Sequence, residues 1–370
     1  MALPVDDPRR EAWLAVDRLS SQWVSSWPGL DTPLQPALGD AEFGEVVTTY
    51  LGMESPALRG LAGRSIPCGH RRHTVCDAHG FQLGLATLPG AVHTLVHNGC
   101  SFELWRMMRE AGVYCEVEPR HLFNTLLPAA YLLQPGPRPN IVPDARMDVA
   151  LPPAATTRQQ SQAFRRRTGA VAAQQRPMLF DAKSIFAGGG RYRGSAEVRE
   201  DQSGAVELRA RQVPSEYRRN AREKDHQQYG PAGSTLIQDR VASFGACRAV
   251  VFGNYGEASR DVHTLIHVAA KRLATKHWRL LGARSQGEVH GFYVAQLRRR
   301  MGVTAVREFA RHRLRRAAYV GVPRAVVEQM MQQEAMRVRL HGQPAAEPPY
   351  ADFFAWAGQQ PAAARGGGGG

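Results

Sequence analysis

Met178-Leu179-Phe180-Asp181-Ala182-Lys183-Ser184-Ile185-Phe186 is an apolar run with an Asp-x-Lys set inside it. Its composition predicts a strand, and the two-residue spacing puts Asp181 and Lys183 on one strand face, because successive side chains alternate faces. The lysine is informative because the chain has 47 basic side chains and only four lysines, Lys183, Lys224, Lys271 and Lys276. Where a generic positive charge suffices, this sequence uses arginine. A lysine kept inside an apolar strand points to a need for a compact ammonium, which can orient or deprotonate a water beside a carboxylate-bound divalent cation.

Working outward, the strand belongs to a chain of 370 residues with 43% apolar side chains, enough for a real core. The formal net charge of +14 points to a polyanionic partner such as nucleic acid, or to an arginine-rich composition with no partner behind it. No apolar stretch approaches the ~18 residues of a membrane span. Met1-Ala2-Leu3-Pro4-Val5-Asp6-Asp7 lacks the basic and apolar regions of a secretory signal, so an intracellular location, the nucleus included, is expected. In that setting the five cysteines read as thiols or metal ligands rather than a disulfide frame.

The pattern divides the chain into a helical lead-in (residues 1–66), a Cys/His-rich segment (67–100), an α/β core (101–280), C-terminal helices (281–340) and a Pro/Ala/Gly-rich tail expected to be disordered (341–370). In the lead-in, Ala12, Leu14, Ala15, Leu19 and Trp23 recur at helical spacing, and Glu42 to Leu51 forms a second helix. Cys100 to Ala111 reads as a helix stopped by Gly112. Strands are expected at Val113–Glu118, Arg146–Leu151, Met178–Phe186 and Arg248–Phe252. The stretch 152–175, with Arg165, Arg166 and Arg167, reads as a mobile basic loop. Residues 195–213 read as irregular, with a short strand possible at Ala205–Arg211, and are followed by a charged helix from Glu216 to Asp225. A helix from Ala258 to Thr275 and two more, Val289–Arg300 and Ala305–Arg316, complete the order helix, strand, strand, strand, helix, strand, with helical extensions.

A two-strand carboxylate site needs an acid on the strand neighbouring Asp-x-Lys, so that both carboxylates reach one cation. The second strand offers Asp148, inside its apolar alternation and favoured on that ground, and Asp144 in Val142-Pro143-Asp144, four residues away on the same face. Glu103 on the preceding helix is a candidate extra acid or a solvated surface residue. Magnesium suits such a carboxylate and water site. Cys68, His70, His73, Cys76, His79, His93, His97 and Cys100 are the residue types that hold zinc, although their spacing is not that of a standard finger. Tyr217, Arg218, Arg219, Arg222 and Lys224, with Arg298, Arg299 and Arg300 and the arginines from Arg311 to Arg316, are candidate phosphate contacts or salt-bridged helix faces.

These elements resemble the PD-(D/E)xK restriction-endonuclease-like superfamily, and more narrowly the nuclease-like region downstream of the reverse transcriptase in non-LTR retrotransposon polyproteins. The resemblance covers residues 40 to 320. It is carried by Cys76-Asp77-Ala78-His79-Gly80, His97-Asn98, Arg109-Glu110-Ala111-Gly112, Met147-Asp148-Val149-Ala150-Leu151-Pro152, Leu179-Phe180-Asp181-Ala182-Lys183 and Gly253-Asn254-Tyr255-Gly256-Glu257-Ala258. It implies an α/β fold with an αβββαβ restriction-endonuclease-like core and Mg²⁺-dependent hydrolysis of DNA phosphodiesters by Asp148 or Asp144 with Asp181 and Lys183. Gln82 and Ala86 stand where that family has a histidine and a cysteine, which bears on zinc, and no Tyr-x-Asp-Asp polymerase signature occurs. An inactive nucleic-acid-binding module of the same fold and a protein-interaction domain are the competing readings.

Overall fold

The computed structural model describes residues 15, 17, 38–67, 75–86, 88, 92–119, 121–124, 126, 142–149, 151, 176–187, 192, 204–230, 235–245 and 247–341. The 152–175 loop, Gly188-Gly189-Gly190, most of the first lead-in helix and the tail beyond His341 lie outside them. The described elements run α1 (Asp40–Tyr50), α2 (Phe81–Leu85), α3 (Val92–Glu110), β1 (Cys115–Val117), α4 (His121–Asn124), β2 (Ala145–Val149), β3 (Arg176–Ile185), α5 (Gly204–Tyr229), α6 (Leu236–Ser243), β4 (Arg248–Gly253), α7 (Arg260–His277), α8 (Gln286–Ala317) and α9 (Arg324–His341). None of these helices is long and apolar enough to cross a membrane.

The four strands form one mixed sheet in the order β1-β2-β3-β4, antiparallel from β1 to β3 and parallel between β3 and β4. Parallel neighbours require a crossover, and α5 with α6 supplies it. One sheet face carries Ala145, Met147, Phe180, Ala182, Val250 and Phe252 into a core shared with α3, α7 and α8. The other carries Leu179, Ile185, Ala249 and Val251 under α5 and α6. All six residues of β4 are buried, as expected of a strand covered on both faces. β2 alternates instead, burying Ala145, Met147 and Val149 and leaving Arg146 and Asp148 half-buried.

Three sequence expectations change. Residues 204–229 make one helix through Pro214, with no strand at Ala205–Arg211, because Ala205, Val206, Val213, Tyr217 and Ala221 form a buried stripe against β3 and β4. The two helices expected at Val289–Arg300 and Ala305–Arg316 are a single 32-residue helix, α8. The helix expected from Cys100 starts eight residues earlier, at Val92. It ends where Gly112 adopts a positive φ of 72°, a conformation that favours glycine.

The arginines of α8 are structural stitches. Arg300 forms ion pairs with Glu103 and Glu110 of α3, Arg311 with Glu42 and Arg313 with Glu45, both of α1. Arg316 is fully buried, and its Nη1 donates to the carbonyls of Leu83 and Ala86, each at 2.6 Å, closing the end of α2. A forked guanidinium can serve several acceptors at once where an ammonium cannot. Replacing Arg316 with Lys should therefore lower unfolding stability by about 2–3 kcal/mol, the range for a lost charged hydrogen bond beside unsatisfied buried carbonyls. A urea midpoint unchanged from wild type would contradict this role.

Candidate active site

The β2–β3 ladder pairs Val149 with Arg176 and ends at Ala145 opposite Phe180. One step further lie Asp144 and Asp181. Asp144 stands just outside β2, and the two carboxylates are near enough for the charge of Asp144 to act on Asp181. β3 continues to Ile185 alongside β4, and among the described residues its β2-side edge beyond Phe180 has no strand partner. Asp144 fills that gap with its side chain. Its Oδ2 accepts the Ala182 backbone N–H at 2.6 Å and lies 3.1 Å from His97 Nε2 on α3. The other ring nitrogen, Nδ1, is 3.0 Å from Asn98 Oδ1, so both imidazole nitrogens face oxygen acceptors.

Asp181 is buried beneath α5, and Lys183, a third exposed, forms an ion pair with it. Burial pushes the Asp181 carboxyl up to about 6, with Lys183 pulling the other way and the charge of Asp144 adding to the rise. Asp144 goes in the opposite direction. Burial would raise it, but the hydrogen bond and charge of His97, the Ala182 N–H and Lys183 together hold it below the usual carboxylate range. His97 is correspondingly raised: burial works against the imidazolium and Asp144 outweighs it. Tyr217 lies buried behind Asp181, and burial first, then Cys247 and the two acids, hold its phenol well above its ordinary value.

The structure thus brings Asp144, Asp181, Lys183 and His97 together. Asp148, the acid favoured by its place in the apolar alternation, sits opposite Pro177, four residues along β3 from Asp181 and on the order of 13 Å away at the rise of a strand. The ladder, which the sequence does not display, puts Asp144 rather than Asp148 next to Asp181. Glu103 is not at this site either; it pairs with Arg106 and Arg300. His97 was legible as a metal-ligand type and as part of the His97-Asn98 resemblance, but not as a partner of Asp144. Extending the α3 pattern back through Val96 would have put it on a helix beside the sheet.

The zinc candidates are dispersed. Cys68, His70 and His73 lie outside the described residues, as does the side chain of His93. Cys76 is buried in a cluster with Leu58 and Tyr319, whereas Cys100 is buried under α3 in the main core. His79 Nδ1 lies 3.1 Å from the Met53 carbonyl, and His97 is engaged by Asp144. Asp77 closes the Cys76–Gly80 turn by accepting the N–H groups of His79, Phe81 and Gln82. Among the described residues no three His, Cys, Asp or Glu side chains are grouped to hold a metal. Two opposed carboxylates nevertheless fit magnesium, which keeps several waters and takes only one or two protein carboxylates beside a phosphate.

Of the expected phosphate contacts, Arg218 and Arg222 are exposed on α5. Tyr217, Lys224 and Arg298 are buried, and Arg299 is half-buried, because α5 and α8 turn those positions inward. Lys224 donates to Gln227, and Arg298 to His267.

Comparison with protein-family models, with curated proteins and with solved structures finds no match to the chain.

The raised Asp181 has a thermodynamic signature. Between the ordinary aspartate pKa of about 3.9 and about 6, the folded state keeps a proton that the unfolded chain has released, so stability falls as pH rises through that window. Above it the buried charge costs about 3 kcal/mol, the opposing pull of Lys183 being already contained in the shift. Asp181→Asn should accordingly gain stability over wild type at pH 8 and lose that advantage at pH 4. Equal differences at both pH values in urea titrations would rule out a strained Asp181 carboxylate.

Proposed function

We propose that the chain is a metal-dependent endonuclease domain that hydrolyses DNA phosphodiesters, built on a restriction-endonuclease-like core and derived from a retroelement. The observation that carries this reading is the opposition of Asp144 and Asp181 at the end of the β2–β3 ladder, with Lys183 on the same face. Supporting it, helix α3, strands β1 to β3, helix α5 and strand β4 follow the αβββαβ order, with the short α4 inserted between β1 and β2 and α6 before β4, and Pro143-Asp144 with Asp181-Ala182-Lys183 spells the PD-(D/E)xK signature.

Asp144 and Asp181 are the residues that would hold Mg²⁺, which on binding supplies charge neutralisation at the phosphoryl oxygens and a more acidic water. The protein's own part follows from the contacts. His97 and the Ala182 N–H both engage Asp144 Oδ2, fixing the carboxylate in place. Burial under α5 keeps water away from the rear of Asp181. Lys183 projects its ammonium from the partly open side of the pair, where it can donate to an attacking water or to a nonbridging phosphate oxygen. Exposed Arg218 and Arg222, on the helix that covers Asp181, add sequence-independent phosphate contacts.

Cleavage of plasmid DNA in Mg²⁺ should fall at least ~100-fold in Lys183→Ala and in Asp181→Asn, the usual scale for losing a group that acts in the transition state. Undiminished activity in Lys183→Ala would remove that residue from the mechanism. Tight DNA binding without cleavage in wild type would favour a binding module.

A further inference from the structure

The hairpin joining α7 to α8 carries an exposed surface that the acid site does not use. Leu280 is 83% exposed, Leu281 54% and Phe292 57%, an unusual concentration of apolar area for a turn in so basic a chain. The turn is fixed by Gly282, whose φ of 65° favours glycine, and by backbone bonds from Leu281 to His277 and from Ala283 to Trp278. Aromatic rings continue from its exposed end. Phe292 lies edge-on to Tyr293 at 5.5 Å between centroids, and Tyr293 lies 5.9 Å from His277. The Tyr293 hydroxyl and His277 Nδ1, 2.7 Å apart, hold those two rings in place. On the other side of the turn the Arg279 guanidinium sits 5.1 Å from the centre of the Trp278 ring.

The rim is cationic. Lys276, Arg279 and Arg284 are exposed around the turn, with Lys271 one helical turn back along α7. Two of the four lysines of the whole chain are therefore here, and the segment from Lys271 to Phe292 contains one acid, Glu288, whose Oε2 accepts the Arg284 backbone N–H. One exposed ring, Phe292, backed by the half-buried Tyr293, His277 and Trp278 and set among basic side chains, matches one chemistry closely: an unpaired base stacks on the aromatic face while the neighbouring phosphates meet arginine and lysine. A flat duplex offers the phosphates but no free base face, so it has no use for Phe292 or the leucines.

We propose that the α7–α8 hairpin is a binding surface for single-stranded nucleic acid, with Phe292 as its stacking platform and Lys276, Arg279 and Arg284 as its phosphate contacts. It stands independently of the acid site, and its test is a binding measurement in EDTA, where no metal-dependent cleavage occurs. The probe is a fluorescein-labelled 20-nucleotide single strand of mixed sequence, titrated with the full chain alongside the matching duplex. Phe292→Ala should weaken single-strand binding about 5- to 100-fold, the range for one lost base–ring stack, and leave duplex binding within about twofold. Phe292→Trp should retain the affinity and Phe292→Leu should not, since the contact needs a ring face rather than apolar area. Lys276→Glu combined with Arg279→Glu should weaken binding and flatten its dependence on salt. Phe292 is exposed, so these variants should keep the wild-type melting temperature. Three results would overturn the proposal. One is single-strand affinity unchanged in Phe292→Ala; another is Phe292→Leu binding as well as wild type. The third is hairpin variants that keep single-strand binding but lose wild-type binding to vesicles of 30% phosphatidylserine, or lose self-association, which would assign the surface to a membrane or to a second copy.

Discussion

The Ala182 N–H is an orphan of the sheet until Asp144 accepts it, and that one bond sets the geometry on which the rest of the site depends. β3 is longer than β2, so its ladder stops at Phe180 and the next inward-facing amide needs another acceptor. A carboxylate in that position satisfies the amide, draws His97 across from α3 and lies opposite Asp181 at the same time. Burial raises Asp181 to about 6, with the charge of Asp144 adding to it, whereas His97, the Ala182 N–H and Lys183 outweigh burial at Asp144 and hold it low, as expected when only one of two neighbouring carboxylates is well provided with donors.

The surroundings explain how such an arrangement is held. Sheet and helices close over both faces of β4, while β2 keeps one face half open, so the acid pair stands at the border between a sealed core and an accessible surface. α8 braces that core from outside through guanidinium contacts to α1, α2 and α3. Four of the 47 basic side chains, Arg298, Arg300, Arg313 and Arg316, are thus buried inside the molecule and do not add to its surface charge. Exposed Arg218 and Arg222, and the hairpin between α7 and α8, remain as cationic surface for a partner.

The strands were legible because each is a short apolar run bounded by glycine, proline or charge, and their order followed directly. Asp181 and Lys183 were legible because a lysine is scarce in this chain. What a single sequence does not carry is register. The alternation around Asp148 makes it look like the better acid, yet pairing of Ala145 with Phe180 selects Asp144. Alternation reports which face a residue occupies and says nothing of how far along the sheet it sits. The same limit applies to the cysteines and histidines: residue type suggested one zinc centre, and packing sends Cys76 and Cys100 into different cores. Helix lengths were missed where a local signal is overridden by burial, at Pro214 in α5 and between Arg300 and Ala305 in α8.

The central claim is that Asp144 and Asp181, and not Asp148, form one cation site. Manganese is a spectroscopic stand-in for magnesium, and its binding at pH 8, followed by electron paramagnetic resonance of the free ion, tests this without requiring turnover. Wild type and Asp148→Ala should take up the ion with the same affinity, whereas Asp144→Ala and Asp181→Ala should each lose it. Uptake that survives both of the latter substitutions, or that disappears with Asp148, would contradict the account.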